Sequence, residues 1–198
     1  LTQFWYFNTT RPEEMDILTQ EVRFTSTTDS NLQWIFGAYM SDYERMMDSF
    51  LTFGPDALGL GFVFAMPFEK IVEENTHNAL FGNVSYEVDQ WRYDIGLRYD
   101  KWEETELNLD AETNGGIHSG KIDDTETLPR VSITRTLDNG SIAYFTTSRG
   151  YEPGGLNNGV PYTDSNGNRL LGSFNKEEAT QNELGWKGTI RDGRTSIS

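Results

Sequence analysis

The stretch WRYDIGLRYD, residues 91–100, decides the fold. Trp91, Tyr93, Ile95, Leu97 and Tyr99 alternate with Arg92, Asp94, Gly96, Arg98 and Asp100, so the second face carries four charges in five positions. Side chains on a β-strand point to opposite faces with a period of two, and a helix would scatter this pattern around its axis. The same alternation appears on either side. Leu32, Trp34, Phe36, Ala38 and Met40 share one face of residues 32–41, and Leu80, Gly82, Val84, Tyr86 and Val88 share one face of residues 80–88. Residues 131–137 continue it through Val131, Ile133 and Leu137, with Arg135 breaking the apolar parity. Two more strands are expected at residues 141–151, whose facing is ambiguous, and at 183–190, where Leu184, Trp186 and Ile190 oppose Glu183, Lys187 and Thr189.

The connections come in two lengths that alternate along the chain. Short turn signals stand at residues 29–31, 89–90, 138–140 and 191–194, and long polar or glycine-rich stretches at 42–76, 108–125 and 152–175. In an up-and-down antiparallel sheet this places the short turns at one end and the long connections at the other. Turn-to-turn intervals of 60, 49 and 53 residues give about 27 residues per strand, and so seven or eight strands. Trp91 and Tyr99 are eight residues apart on one face; at about 3.3 Å per residue and a tilt of about 40° they differ by roughly 20 Å in height, close to a lipid-facing band between aromatic girdles.

Composition narrows the function. With 31 Asp and Glu against 16 Lys and Arg the net charge is −15, which argues against nucleic acid as a partner, because phosphates are neutralised by Lys and Arg. Cysteine is absent, so thiol nucleophiles, disulfides and thiolate metal sites are excluded. His77 and His118 are the only imidazoles and are far apart in sequence, which leaves zinc sites and a Ser-His-Asp triad without support. No window reaches the roughly 18 apolar residues of a membrane helix, whereas a membrane β-barrel needs only alternation. The start at Leu1, without a signal-type segment, reads as that of a mature or partial chain.

Six strings then occur in order: QEVRFTS (20–26), QWIFGAYMSD (33–42), ALFGNVSY (79–86), GLRYD (96–100), SRGYEPGG (148–155) and NELGWKG (182–188), the last followed by the Asp192-Gly193 turn. Together with the turn polarity they resemble the barrel of TonB-dependent outer-membrane receptors over roughly residues 20–198. The resemblance implies an all-β, antiparallel up-and-down transmembrane barrel of 22 strands, of which residues 1–198 are about a third. It also implies an N-terminal plug domain, absent from these residues, through which the TonB complex relays energy, and a place in the bacterial outer membrane in contact with its lipid. The ligand it implies is scarce and bulky, such as a ferric siderophore, haem, cobalamin or an oligosaccharide. No covalent chemistry is expected, so no catalytic residue, cofactor or metal is assigned.

Candidate contacts follow from the residues. Arg98 and Asp100 lie on the polar face near the outer end of a strand, suited either to ligand or plug contact or to an ion pair in the wall. Arg149 and Tyr151 precede a long connection, where an Arg beside an aromatic suits an anionic or conjugated ligand, or anchors the strand at the membrane interface. Phe62 and Phe64 belong to an apolar stretch, residues 58–68, which either lines a ligand vestibule or packs among outer connections. The acidic groups Glu103, Glu104, Glu106 and Asp123, Asp124, Glu126 suit Ca²⁺ or a solvated surface. Asp164, Asn166 and Asn168 copy half of a calcium loop, but Arg169 and Asn175 spoil the match. The rival fold is a soluble β-sandwich that binds carbohydrate or another ligand, in which Trp34, Trp91, Tyr93 and Trp186 would be buried. An enzyme with paired carboxylates on a β scaffold is the third reading, and no pair can be placed at a defined separation.

Overall fold

The computed structural model describes residues 7–59, 61–109, 117–190 and 195–197. It is a single sheet of eleven strands, antiparallel but for one parallel bridge between β6 and β9: β1 (Phe7–Thr10), β2 (Glu13–Thr25), β3 (Leu32–Phe53), β4 (Phe64–Val88), β5 (Trp91–Leu109), β6 (Ile117–Thr136), β7 (Ile142–Glu152), β8 (Gly155–Thr163), β9 (Arg169–Phe174), β10 (Glu177–Ile190) and β11 (Thr195–Ile197). β1 and β2 pair end to end with β3, interrupted at Arg11-Pro12, and so form one stave of the wall. β8 and β9 form an extra hairpin at the long-connection end. Eight staves remain, which agrees with the turn spacing. No described helix is long and apolar enough to cross a membrane, which leaves crossing by strands open.

Register puts each alternating run on a common face. Trp34 opposes Val84, which opposes Ile95, which opposes Val131. The ladder continues with Val131 against Thr147, and Phe145 against both Ile133 and Leu184. This apolar side has no second layer over it: Trp34, Trp91, Tyr93 and Trp186 are 37–38 % exposed and Leu184 is 84 % exposed. In a sandwich these would be core residues, so the soluble sandwich is not the fold. Facing is also settled for β7, where Ala143, Phe145 and Thr147 join the apolar side and Tyr144, Thr146 and Ser148 the polar side. Arg135, which broke the parity, does lie on the apolar side; its guanidinium sits 5.2 Å from the centre of the Trp91 ring, a cation–π contact beside the short turns.

The long connections are the main correction to the sequence reading. Residues 42–76 are mostly strand, since β3 runs on to Phe53 and β4 begins at Phe64. β6 likewise begins at Ile117, and residues 152–175 contain the β8–β9 hairpin. Beyond lipid both faces of a strand meet water or protein, so nothing selects alternation there and the period-two signal vanishes while the ladder continues. The 25 residues of β4 span about 80 Å along the strand, against a lipid band of about 25 Å. The short turns are as expected at the described positions. Asp89, at φ 52°, takes the left-handed conformation that a two-residue hairpin turn requires. The turn at residues 191–194 lies outside the described residues, as do the glycines Gly115 and Gly116.

The well-buried apolar residues, Met47, Ala57, Ile71, Ala79, Trp102 and Leu171, all belong to the long-connection half. Four of them, Met47, Ile71, Ala79 and Trp102, share the polar side of the sheet with Arg98 and Asp100. What covers that side is the β8–β9 hairpin. Leu156 of β8 lies over Gly120 of β6, where a Cβ would come within 2.6 Å of the leucine Cδ2 and make that side chain shift.

A candidate ligand-binding wall on the polar face

Two of the residues singled out from sequence meet at once. Arg98 and Asp100 are two apart on β5, and the guanidinium grips the carboxylate through Nε at 2.9 and 3.0 Å and through Nη2 at 2.8 Å. His77 of β4 closes the other side, its Nε2 at 2.8 Å from Asp100 Oδ1. Asp100 is 2 % exposed, so its charge is held by these two partners rather than by water. The Tyr39 and Phe81 rings flank the guanidinium, with centroids at 5.6 and 6.0 Å, and Tyr39 meets His77 edge-on. The result is a fixed cation, about a third exposed, set between two aromatic faces.

Arg149 and Tyr151 come into this neighbourhood by a different route. Pairing of β6 with β7 stops at Arg130, next to Pro129, which has no N–H to give to a ladder. Past that point the two strands part, and charged side chains tie the gap together. Arg149 pairs with Glu178 of β10 and reaches Glu126 of β6 at 3.5 Å. Lys176 donates to Glu126 at 2.7 Å and to Asp124 at 3.0 Å. Hydrogen bonding to Glu126, then to Asp124, holds the Lys176 ammonium well above its usual range. By parity Arg149 and Tyr151 follow Phe145 and Thr147 on the apolar side of β7, and they stand at the gap rather than on the face that carries Arg98. Burial, then the charge of Asp100, pushes the Tyr151 phenol up. Replacing Lys176 with Met should loosen the β8–β9 hairpin. Faster cleavage at the exposed 164–168 turn by a protease in limiting amount is the expected result, and an unchanged rate would show that the tie does not hold the hairpin.

Phe62 and Phe64 stand apart from this group. Phe64 stacks on Phe53 at 4.8 Å, and Phe62 meets Phe64 at 6.1 Å, which puts both at the tip of the β3–β4 hairpin. The two acidic runs do not converge on a metal. They lie on paired strands and divide between the faces, with Glu103 opposite Asp123 on one side and Glu104 and Asp124 on the other. Lys121 takes Glu103 at 2.9 Å, and among the described residues no cluster of His, Asp and Glu has metal-binding geometry. Asp164 turns out to cap its own turn, accepting from the Asn166 and Asn168 backbone N–H groups.

Sequence reasoning passed over His77, Tyr39 and Phe81, the shell around Arg98. Phe81 and His77 have the parity of Ala79 on β4, and counting back from Phe81 through residue 76 would have found the histidine. Glu104, read from sequence only as part of an acidic run, is buried. It is 8 % exposed, and burial, reinforced by Glu73 and Glu106, pushes its carboxyl up to about 7, against the opposing effects of the Leu156 N–H and Arg45. A carboxyl whose pKa is raised on folding binds its proton more tightly in the native state, so stability falls as pH rises from about 4.5 to about 7. Glu104→Gln should flatten that slope and stabilise the protein by about 1–2 kcal/mol at pH 8. Denaturant titrations of the full receptor at pH 5 and pH 8 measure it, and an unchanged pH slope in the variant would refute it.

The strand pattern, the open single layer and the one-sided loops now stand beside the comparisons with known proteins. Residues 2–198 match the family described as TonB dependent receptor-like, beta-barrel. The chain belongs to the TonB-dependent receptor β-barrel family. Its fold is similar to that of the ferric yersiniabactin uptake receptor FyuA from Yersinia pestis, with a TM-score of 0.71 at 19 % identity over 94 % of this chain and 28 % of that one. The siderophore receptor PiuA from Acinetobacter baumannii matches with a TM-score of 0.58 at 18 % identity over 92 % and 30 %. The chain thus spans less than a third of either receptor, which fits an open sheet with two edges. This is a family of outer-membrane transport receptors rather than of enzymes.

Proposed function

We propose that this chain is one part of the wall of a closed barrel that captures a ferric chelate at the bacterial surface and imports it across the outer membrane. The energy comes from the TonB complex, acting through a plug domain outside these 198 residues. The observation that carries this reading is the division of one sheet into an unpartnered aromatic face and a charged face covered only at its outer end by its own hairpin. Lipid fits the first, and a lumen with a ligand mouth fits the second. In this reading Arg98 and Asp100 line the wall that the ligand passes, Arg149 and Tyr151 stand at the gap where β6 and β7 part, and Phe62 and Phe64 stand at the rim as first apolar contacts. Receptors for ferric yersiniabactin and for siderophores among the similar folds support an iron chelate as the cargo.

Cells lacking the full receptor, fed radioactive iron on a panel of chelators, provide the test. Accumulation that requires the receptor and stops when the proton gradient is collapsed is expected for one of the chelates. Receptor-independent accumulation of every chelate would remove the iron reading.

A further inference from the structure

The net charge of the described residues is confined to one half of the sheet's height. A rung of paired residues runs from Glu21 through Tyr39, Ala79 and Asp100 to Glu126, and at the same level Glu152 pairs with Glu177. Among the described residues, the segments 7–21, 39–79, 100–126 and 152–177, which run from that rung to the long-connection end, hold 21 Asp and Glu against 7 Lys and Arg. The other described residues hold 7 against 7. The negative excess of the described residues therefore lies wholly in the outer half, while the half that meets lipid is neutral.

Much of the little positive charge there is already taken. Arg45 pairs with Glu73 at 2.7 Å, Lys121 with Glu103, and Lys176 with Asp124 and Glu126. By register Glu69, Glu73, Glu104, Glu106, Asp124 and Glu126 all face the polar side of the wall, the side of the lumen in the proposed barrel. Glu73, Asp124 and Glu126 are the partners of Arg45 and Lys176, and burial holds Glu104 toward its neutral form, so the carboxylates outnumber the cations beside them without all being charged and unpaired. On the same side Asn108, 5 % exposed, gives its amide N–H to Glu69, while its Oδ1, a buried acceptor, finds no donor. These acceptors are strung along a ladder at strand spacing and do not converge as metal ligands do. An array of separated carboxylates and an amide oxygen suits an extended organic cation with N–H donors better than a bare metal ion.

From this, and on the footing of the transport reading above, we infer that the outer mouth built by this chain selects its ligand by positive charge. The cargo is a chelate or conjugate that carries a protonated amine, not a polyanionic one. A wall of one sign in a cleft with low-dielectric sides raises the local concentration of oppositely charged solutes and their association rate by about 10- to 1,000-fold, and salt abolishes the effect.

The test uses the full receptor in a cysteine-free background and two kinds of probe. Single cysteines are placed at Asn75→Cys, on the polar face opposite Glu104, and at Ser30→Cys, in a short turn at the other end. Each is titrated with a cationic and an anionic methanethiosulfonate. The inference expects the cationic-to-anionic rate ratio at Asn75→Cys to exceed that at Ser30→Cys by about tenfold, and the excess to vanish in concentrated salt. Equal ratios at low salt overturn it. Iron chelates of defined charge form the second arm: a linear trihydroxamate bearing a free amine against a tris-catecholate. Faster association of the cationic chelate, slowed by salt, supports the inference, and faster association of the anionic one overturns it. If no iron chelate binds while the reagent ratio persists, the iron reading fails and the charge preference stands.

Discussion

Ile95→Arg should destabilise the full barrel by about 2–4 kcal/mol, the cost of placing a cation on the lipid face near the bilayer midplane. Ile95 is 60 % exposed on the apolar side of β5, midway between Trp91 and Tyr99, and its rung neighbours Val84 and Val131 offer no counter-ion. Asn83→Arg is the matched control: it lies one residue along β4 at the same depth, but on the polar face opposite Gly96. There the cation meets the lumen, and the change should cost about 0.5 kcal/mol or less, as for a surface substitution. Folding of the full receptor into lipid vesicles, followed by urea titration and by heat-modifiable gel mobility, measures both. Equal costs at the two positions would mean that neither face meets lipid and would remove the barrel reading, and the reverse order would mean that the faces have been assigned the wrong way round.

That pairing also shows why so much of this fold was legible in the sequence. Where one face meets lipid and the other water, each residue is selected for its side, and a slip of one position would turn every side chain to the wrong solvent. Residues 91–100 therefore state both the strand and its facing. About ten residues further along the same strands the constraint is gone. Arg45, Glu73 and Glu104 sit within one ladder as firmly paired as that of Ile95, yet the string SDYERMMDS (41–49) has no period that betrays it. The extra hairpin was hidden for another reason. β8 and β9 are bound to the sheet by Leu156 over Gly120 and by Lys176, contacts between segments about 35 to 50 residues apart that no local pattern can announce.

The candidate site divides along the same line. Arg98 and Asp100 could be placed together because strand parity puts residues two apart on one face. His77, Tyr39 and Phe81 come from neighbouring staves, and only register brings them in: Phe81 opposes Arg98, and Ala79 opposes both Tyr39 and Asp100. Register depends on turn lengths, which the two-residue turn at 89–90 supplied for β4 and β5 had it been counted through. For Arg149 no such count would have served, because its partner Glu126 is reached only through the gap that opens beyond Pro129.

Asp100→Ala is expected to be the most damaging single change in that site, at about 3 kcal/mol. Removing one member of a buried ion pair leaves the charge of Arg98 without compensation, which typically costs about 3–5 kcal/mol. The lower end applies here because Arg98 keeps about a third of its side chain in solvent, and His77 a similar share. Asp100→Asn should recover part of the loss, since the amide oxygen still accepts from Arg98 Nε, although its NH₂ then faces a donor. The Ala variant has a second consequence that a purely structural tie would lack. Arg98 is freed from its two-atom grip between the Tyr39 and Phe81 rings, so the cation loses its fixed position on the wall. Ligand affinity measured on folded receptor should therefore fall in the Ala variant, and recover in the Asn variant by more than stability does. Unfolding in urea gives one number and chelate binding to the folded fraction the other. Loss of stability with affinity intact would make the Arg98, Asp100 and His77 group a brace of the barrel wall and remove it from the binding surface.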